Sequence, residues 1–222
     1  MCESLKRDVI FDMCVQREYL SPDSPYCCTN AGQIFRNLKR LMAYARWSKT
    51  PILSCVDVDC ANRIGEQFVA LRGAEAPVRQ RYAFGLVPGY EVVESDNSLC
   101  VALDILSQHP QVIFTKVHRD PYTNPKLDRL LTEMPARRFV IFGLPLESSV
   151  RMLALGLVRR NRRVVVIDDA CGYWNAQEAA MVIRKLLVKG CEVTSTVGYI
   201  RDRMAQIGRS RRIRVRLGRW VA

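Results

Sequence analysis

Residues 139–171 read FVIFGLPLESSVRMLALGLVRRNRRVVVIDDAC and carry the clearest pattern in the chain. The stretch begins and ends with short apolar runs rich in β-branched residues, Phe139–Phe142 and Val164–Ile167. The segment between them, Ser148–Arg160, has the apolar spacing of a helix. Strands that are continuously apolar are buried on both faces, as parallel sheets require. The stretch therefore predicts a strand–helix–strand unit of a parallel sheet.

The same alternation extends outward to both ends of the chain. Apolar runs predict further strands at Val9–Met13, Pro51–Val56, Glu91–Glu94, Gln111–Lys116 and Glu192–Thr196. Segments of helical period lie between them, at Gly32–Ser48, Leu99–Gln108, Pro125–Met134 and Ala176–Gly190. This order predicts an α/β fold with three layers, α/β/α, around a mostly parallel sheet of about six strands. We predict one domain, residues 1–200, followed by an Arg-rich extension, residues 201–222.

The charge of the chain is concentrated near its C-terminus. The sequence has 34 Lys and Arg against 22 Asp and Glu, a net charge of +12, and residues 201–222 hold eight Arg and one Asp. A hydrophobic content of 49% excludes wholesale disorder. The run Arg209–Arg219 is typical of a segment that binds nucleic acid or another anionic surface. The alternation of Ile213–Leu217 suits an edge strand equally well.

The cysteines and the N-terminus bear on the cellular compartment. Nine cysteines include no CxxC pair and have no matching His spacing. The first residues have no apolar signal region, and no apolar stretch approaches the ~18 residues of a membrane helix. These features predict free thiols, a cytoplasmic location and no membrane association.

Charged and nucleophilic residues follow several of the predicted strands. In an open parallel sheet, ligands bind outside the carboxyl ends of the strands. The residues at those ends are Asp12, Asp57, Asp59, Lys116, the turn from Gly143 to Ser149, Asp168 and Asp169. Each alone is most simply a helix cap or a turn former. Together they predict a site where these groups converge.

Three segments carry a resemblance to a known family. They are VIFDMCVQREYL (9–20), VIFTKVHRDPYTNPKLDRLL (112–131) and the stretch quoted first (139–171). In this order and spacing they resemble the isochorismatase-like cysteine hydrolase superfamily, which includes the nicotinamidases. The resemblance extends from about residue 8 to about residue 196 and omits the Arg-rich extension. It implies the three-layer fold and a homo-oligomer.

The resemblance implies a catalytic set for this chain: Asp12, Lys116 and, at the position of the family's nucleophilic Cys, Ser149. In active members the Lys and a helix N-terminus lower the pKa of the thiol, and the Asp accepts its proton. Backbone amides near Leu146 and Ser149 would form the oxyanion hole, beside a non-proline cis bond that the family keeps there. Gln16 and Tyr19, with Leu146, are the implied substrate-binding residues.

The departures from the family pattern are as informative as the matches. A serine hydroxyl needs a good base, and the sequence offers no clear His for that role near Ser149. The metal-binding Asp-x-His of many nicotinamidases is altered to Asp57-Val58-Asp59, and no His lies between residues 60 and 108. The family's Asp-x-Gln is altered to Asp12-Met13-Cys14-Val15-Gln16, so Cys14 is a second candidate thiol nucleophile. We therefore predict no cofactor and no nicotinamidase-type metal site.

Three functions remain open from the sequence. The first is a catalytically impaired family member that keeps a pocket for a small-molecule ligand. The second is a thiol-independent hydrolase of the enol-ether type, with Asp12 as general acid, Lys116 positioning an anionic substrate, and Arg79 and Arg81 binding its carboxylates. The third is nucleic-acid or anionic-surface binding through the Arg-rich extension.

Overall fold

The computed structural model describes residues 8–58, 78, 80–136 and 138–218, and residues 208–218 by their backbone alone. The strands are β1 (Val9–Met13), β2 (Ile52–Asp57), β3 (Glu91–Val93), β4 (Gln111–Lys116), β5 (Arg138–Gly143), β6 (Arg163–Cys171) and β7 (Glu192–Thr194). The α-helices are α1 (Arg17–Leu20), α2 (Ala31–Ser48), α3 (Ile105–Gln108), α4 (Pro125–Glu133), α5 (Arg151–Arg159), α6 (Ala176–Val188) and α7 (Thr196–Gly218). Among the described residues, no helix has the length and apolar character needed to span a membrane.

The seven strands form one parallel sheet in the order β3-β4-β2-β1-β5-β6-β7. The chain leaves β1 toward β2 and later returns to β5 on its other side, so the strand order reverses at β1. Such a reversal opens a crevice at the carboxyl ends of the central strands, where ligands bind in open α/β sheets. The topology therefore places the candidate site at the ends of β1 and its neighbours.

Helices cover the sheet on both faces. Crossovers between parallel strands are right-handed, so the helices that connect strands on the two sides of β1 lie on opposite faces. On one face, α2 and α7 contact each other and β6. On the other, α5 contacts both β6 and α6. The predicted three-layer α/β/α architecture is confirmed.

Burial explains why the central strands were recognisable in the sequence. Every residue of β1, β2 and β4 is buried, as is nearly all of β5, whereas the edge strands β3 and β7 are partly exposed. Apolar side chains on both faces of a strand produce the continuous runs of the sequence. The seven described cysteines are free thiols, as predicted, and most of them pack as small apolar side chains.

The sheet, predicted with about six mostly parallel strands, has seven, all of them parallel. Two predictions about the elements need correction. The helix predicted over Leu99–Gln108 is only Ile105–Gln108. The alternating segment Ile213–Leu217 belongs to helix α7, so the strand interpretation is wrong. The boundary at residue 200 falls inside α7, and the division there stays a prediction.

One glycine is required where β5 ends. Gly143 has a φ of 113°, and a Cβ at this position would lie 2.1 Å from the Met13 carbonyl oxygen of β1. No L-residue fits this combination of backbone conformation and close approach. The glycine therefore allows β1 and β5 to stay paired up to the turn that leads into α5.

We expect Gly143→Ala to lower the free energy of unfolding by at least about 3 kcal/mol, because strain and overpacking add. The matched control is Gly190→Ala, which has a φ of 89° but no heavy atom within 4 Å of the added Cβ. The loss in free energy of unfolding in Gly190→Ala therefore measures backbone strain alone, which we expect to be about 1 kcal/mol. Urea unfolding of both variants measures the difference, and equal losses would contradict the role given to the Met13 contact.

Candidate functional site

A buried ion pair lies at the carboxyl ends of β2 and β4. The Lys116 ammonium at the end of β4 contacts the Asp57 carboxylate at the end of β2, to which Lys116 is aligned across the sheet. Lys116 also donates to the carbonyl of His118 at 3.1 Å. Both charged side chains are buried, so each depends on the other for stabilisation of its charge.

Three residues after β1 surround the same carboxylate. The Tyr19 hydroxyl donates to Asp57 Oδ2 at 2.8 Å, and the Cys14 thiol donates to the same oxygen at 3.4 Å. Gln16 clamps the Asp57 backbone, accepting from its amide at 2.8 Å and donating to its carbonyl at 3.1 Å. Gln16 and Tyr19 therefore lie at the predicted site, where both hold Asp57.

The environment of Lys116 keeps its amine charged. Burial by itself favours the neutral amine, yet the neighbouring Cys14 and Asp57 raise the pKa of Lys116 above its ordinary value. Lys116 is consequently protonated at neutral pH. It acts as a fixed positive charge rather than as a base.

The structure does not bring Asp12 to Lys116. Asp12 is aligned with Ser54 of β2, whereas Lys116 is aligned with Asp57, three residues further along that strand. Residues three apart on a strand point to opposite faces of the sheet. The expected convergence of Asp12 with Lys116 is therefore not found, because the side-chain alternation of the strand separates them.

Asp12 has its own partners on the other face. It lies 2.8 Å from the Arg81 guanidinium and accepts a 2.6 Å hydrogen bond from Ser54. Burial raises the pKa of Asp12, while Arg81 opposes that shift. The Asp12 and Arg81 side chains are both fully buried. Their arrangement is that of an interior ion pair closed to substrate.

Ser149 lies in a π-helical turn, Leu146–Val150, that leads from β5 into α5. Its buried hydroxyl donates to the carbonyl of Arg119 at 2.7 Å. The Leu146 amide, predicted for the oxyanion hole, donates instead to the Gly172 carbonyl at 2.8 Å. The cis peptide bond of this turn is Leu144–Pro145, an X-Pro bond, where the resemblance implied a non-proline one. The Ser149 hydroxyl and the Leu146 amide thus both donate to backbone carbonyls of the protein.

The acidic pair that follows Ile167 has a different role from the predicted one. One carboxylate oxygen of Asp169 accepts 2.7 Å hydrogen bonds from both the amide and the hydroxyl of Thr196. Asp169 therefore caps the start of α7. Asp168 is exposed, and its carboxylate accepts from the Asp169 amide at 2.8 Å. Neither carboxylate contacts the groups around Lys116 through these bonds.

A cavity of about 410 Å³ opens beside the turn that carries Ser149. Its lining comprises Tyr19, Tyr26, Arg119, Pro145, Glu147, Ser148, Arg151, Met152, Trp174, Asn175 and Glu178. The rings of Tyr19 and Trp174 pack edge to face at 5.7 Å. Glu147 accepts from the backbone amides of Trp174 and Asn175, at 2.6 and 2.9 Å, and so fixes this wall. Tyr19 connects the cavity to Asp57.

Sequence reasoning considered Cys14 only as a displaced nucleophile, and it passed over Trp174. Cys14, with a φ of 47°, is the residue after β1 whose side chain reaches Asp57. The signal was available, because Cys14 and Gln16 have the spacing of the Asp-x-Gln motif. Trp174 had no sequence signal, since it reaches the cavity only through the packing of the segment between β6 and α6.

The residues that the structure describes do not fit a nicotinamidase-type metal. The Asp57 carboxylate is occupied by Lys116, Tyr19 and Cys14. Within the part of the chain that the structure describes, no group of three or more His, Cys, Asp or Glu side chains could hold a metal ion. Asp59 and Arg79 lie outside the described residues.

We expect Arg81→Met to lower the free energy of unfolding by about 3–5 kcal/mol, because it leaves the Asp12 carboxylate buried without its partner. The double variant with Asp12→Leu removes both charges and recovers most of that loss. Chemical denaturation of the two variants and of Asp12→Leu alone completes the cycle. A double variant as unstable as the sum of the single changes would contradict the ion pair.

Comparisons with known proteins identify the family and agree with the observed fold. The isochorismatase domain model matches residues 8–197, whereas a search of the curated proteins found no match. A putative isochorismatase hydrolase from Oleispira antarctica is 13% identical with a TM-score of 0.67, covering 90% of this chain and 98% of that one. The zinc complex of a Pyrococcus horikoshii pyrazinamidase is 14% identical with a TM-score of 0.62, covering 85% and 98%. The octameric hydrolase YcaC of Escherichia coli, of unknown specificity, is 15% identical with a TM-score of 0.57, covering 88% and 78%. This chain belongs to the isochorismatase family.

Proposed function

We propose that this protein is a catalytically impaired member of its family that binds a small molecule in the cavity beside Ser149. The observation that carries the proposal is the hydrogen bond from the Ser149 hydroxyl to the Arg119 carbonyl. A backbone carbonyl is too weak a base to remove the hydroxyl proton, so it cannot activate Ser149 as a nucleophile. The residue at the family's nucleophile position is therefore held in an unreactive state.

The other groups that the family mechanism uses are also altered in ways that disfavour catalysis. Asp12 is paired with Arg81 on the other face of the sheet, and Cys14 lies where a carboxylate would face Lys116. The Cys14 thiol donates to Asp57, is fully buried and does not lie at a helix N-terminus. These features argue against Cys14 as a displaced nucleophile.

The enol-ether alternative requires Asp12 and Lys116 to act on one substrate. The raised pKa of Asp12 suits a general acid. Its burial against Arg81, however, leaves no room for a substrate, and Lys116 faces the other way. The geometry supports ligand binding better than this reaction.

Aromatic rings and two Arg in the lining of the cavity support one class of ligand. Tyr19, Tyr26 and Trp174 offer flat apolar surfaces, and Arg119 and Arg151 offer planar groups that pair with carboxylates. The volume of about 410 Å³ is that of a small-molecule site. We infer a planar, anionic ligand such as an aromatic carboxylate.

We expect wild-type protein to show no turnover of nicotinamide, isochorismate or a panel of simple amides above the uncatalysed rate. The double variant Cys14→Asp with Ser149→Cys restores a carboxylate near Lys116 and a thiol at the family's nucleophile position. We expect amide hydrolysis only in that variant, measured by product chromatography. Wild-type turnover that disappears in Ser149→Ala would overturn the proposal.

Ligand binding is tested separately with benzoate and nicotinate as probes, by calorimetry. We expect Arg151→Ala to weaken binding about ten-fold, since a charge-assisted hydrogen bond contributes about 1.5–3 kcal/mol. Trp174→Phe should also weaken binding, whereas the matched control Trp47→Phe, outside the cavity, should leave it unchanged. Equal effects of the two Trp substitutions would contradict the assignment of the cavity.

We also propose that the protein is a cytoplasmic homo-oligomer. The fold relative from Escherichia coli is octameric, which supports self-association as a property that this fold permits. Sedimentation of the full chain measures the oligomeric state. The cytoplasmic location stays a prediction from the sequence.

A further inference from the structure

Almost all of the net charge lies on two segments. Residues 31–49, which comprise α2 and Lys49, contain five basic and no acidic residues. Helix α7 contains seven Arg and one Asp. Together they account for +11 of the net +12, so the remaining 180 residues are nearly neutral. The basic character therefore belongs to these two helices and not only to the C-terminal extension.

The two helices are neighbours on one face of the sheet. They contact each other, and Tyr44 of α2 packs edge to face on Tyr199 of α7 at 5.7 Å. The helices on the other face of the sheet, α5 and α6, do not share this concentration of charge. In α6, Glu178 offsets part of the positive charge of its Arg and Lys. We name the exposed side of α2, together with helix α7, the basic face.

The exposed side chains of α2 are available to a partner. Arg36, Arg40 and Trp47 recur at helical spacing and are exposed, Trp47 to 60%. Among the described residues, no acidic side chain forms an ion pair with Arg36 or Arg40. These cations are compensated by water and counterions, which an anionic polymer would displace.

Helix α7 continues the series of basic residues toward the C-terminus. Arg203 pairs with the buried Asp8 at 3.1 Å and so fixes α7 to the sheet. Five Arg between residues 209 and 216 follow along the same helix. A helix of 23 residues is roughly 35 Å long, about the length of ten stacked nucleotides.

The composition of the basic face favours nucleic acid over a lipid surface. A helix that lies on a membrane inserts an apolar face, but the apolar side of α2, including Leu38, Leu41 and Met42, is buried in the core. What α2 exposes is cationic, with Trp47 among the charges. Exposed aromatic rings between cations are the pattern that stacks the bases of a single strand.

We propose that the basic face binds single-stranded nucleic acid through its phosphates, with a base stacked on Trp47. This site is separate from the cavity beside Ser149 and goes beyond the proposed function. Because the contacts are to phosphates and to the face of a base, binding is independent of sequence. It weakens steeply as salt concentration rises.

The test is fluorescence anisotropy of the full chain with a labelled 20-nucleotide oligo(U) RNA and the matching oligo(dT), over a series of salt concentrations. We expect Arg36→Glu with Arg40→Glu to weaken binding of the RNA by at least about ten-fold and to flatten the salt dependence. The matched control, Arg184→Glu with Lys185→Glu, makes the same charge change at exposed residues of α6 and should weaken it far less. We expect Trp47→Ala to weaken binding of the RNA roughly ten-fold, because it removes the stacking surface for a base.

Two further variants and one competitor complete the design. Arg36→Lys with Arg40→Lys keeps the charge and should retain binding, which separates charge from folding. Deletion of residues 208–222 removes six Arg from the C-terminal segment and should weaken binding. Absence of binding at low salt, equal losses in both charge-reversal pairs, or displacement by vesicles of anionic lipid at lower concentration than by oligonucleotide would each overturn the proposal. Comparable RNA and DNA affinities, or a preference for RNA, are both consistent with it.

Discussion

The buried ion pair between Lys116 and Asp57 is the interaction on which the candidate site depends. Two charges in a dry interior are tolerated only when each is fully partnered. Tyr19, Cys14 and Gln16 supply further contacts to Asp57, and in doing so they fix the segment that follows β1. The same pair occupies the Asp57 carboxylate. These contacts hold the ends of β2 and β4 and the segment after β1 together.

The alternation of side chains along a strand decides which acidic residue belongs to this site. Asp12 and Asp57 come from adjacent strands, yet they point to opposite faces of one sheet. Each pairs with a different cation: Asp12 pairs with Arg81, and Asp57 pairs with Lys116. A cluster that looks single in the sequence is therefore two separate ion pairs.

The molecule has two distinct regions that a partner could use. The cavity beside Ser149 is a small, open pocket with an aromatic wall, and it lies at the point where the strand order reverses. The basic face is extended and cationic, and it comprises the exposed side of α2 together with helix α7. Concavity favours a small molecule, whereas an extended charged surface favours a polymer. The residues that line the cavity belong to neither of these two helices.

The sequence alone determined the order of elements, the three-layer architecture and the family, because continuously apolar strands and amphipathic helices leave periodic patterns. It also identified Lys116, Gln16 and Tyr19 as residues near one site. Only the tertiary structure decided that Cys14, rather than Asp12, approaches Lys116, and that α2 and α7 join their charges. Facing direction and adjacency depend on strand register and helix packing, which are contacts between distant segments and leave no local pattern.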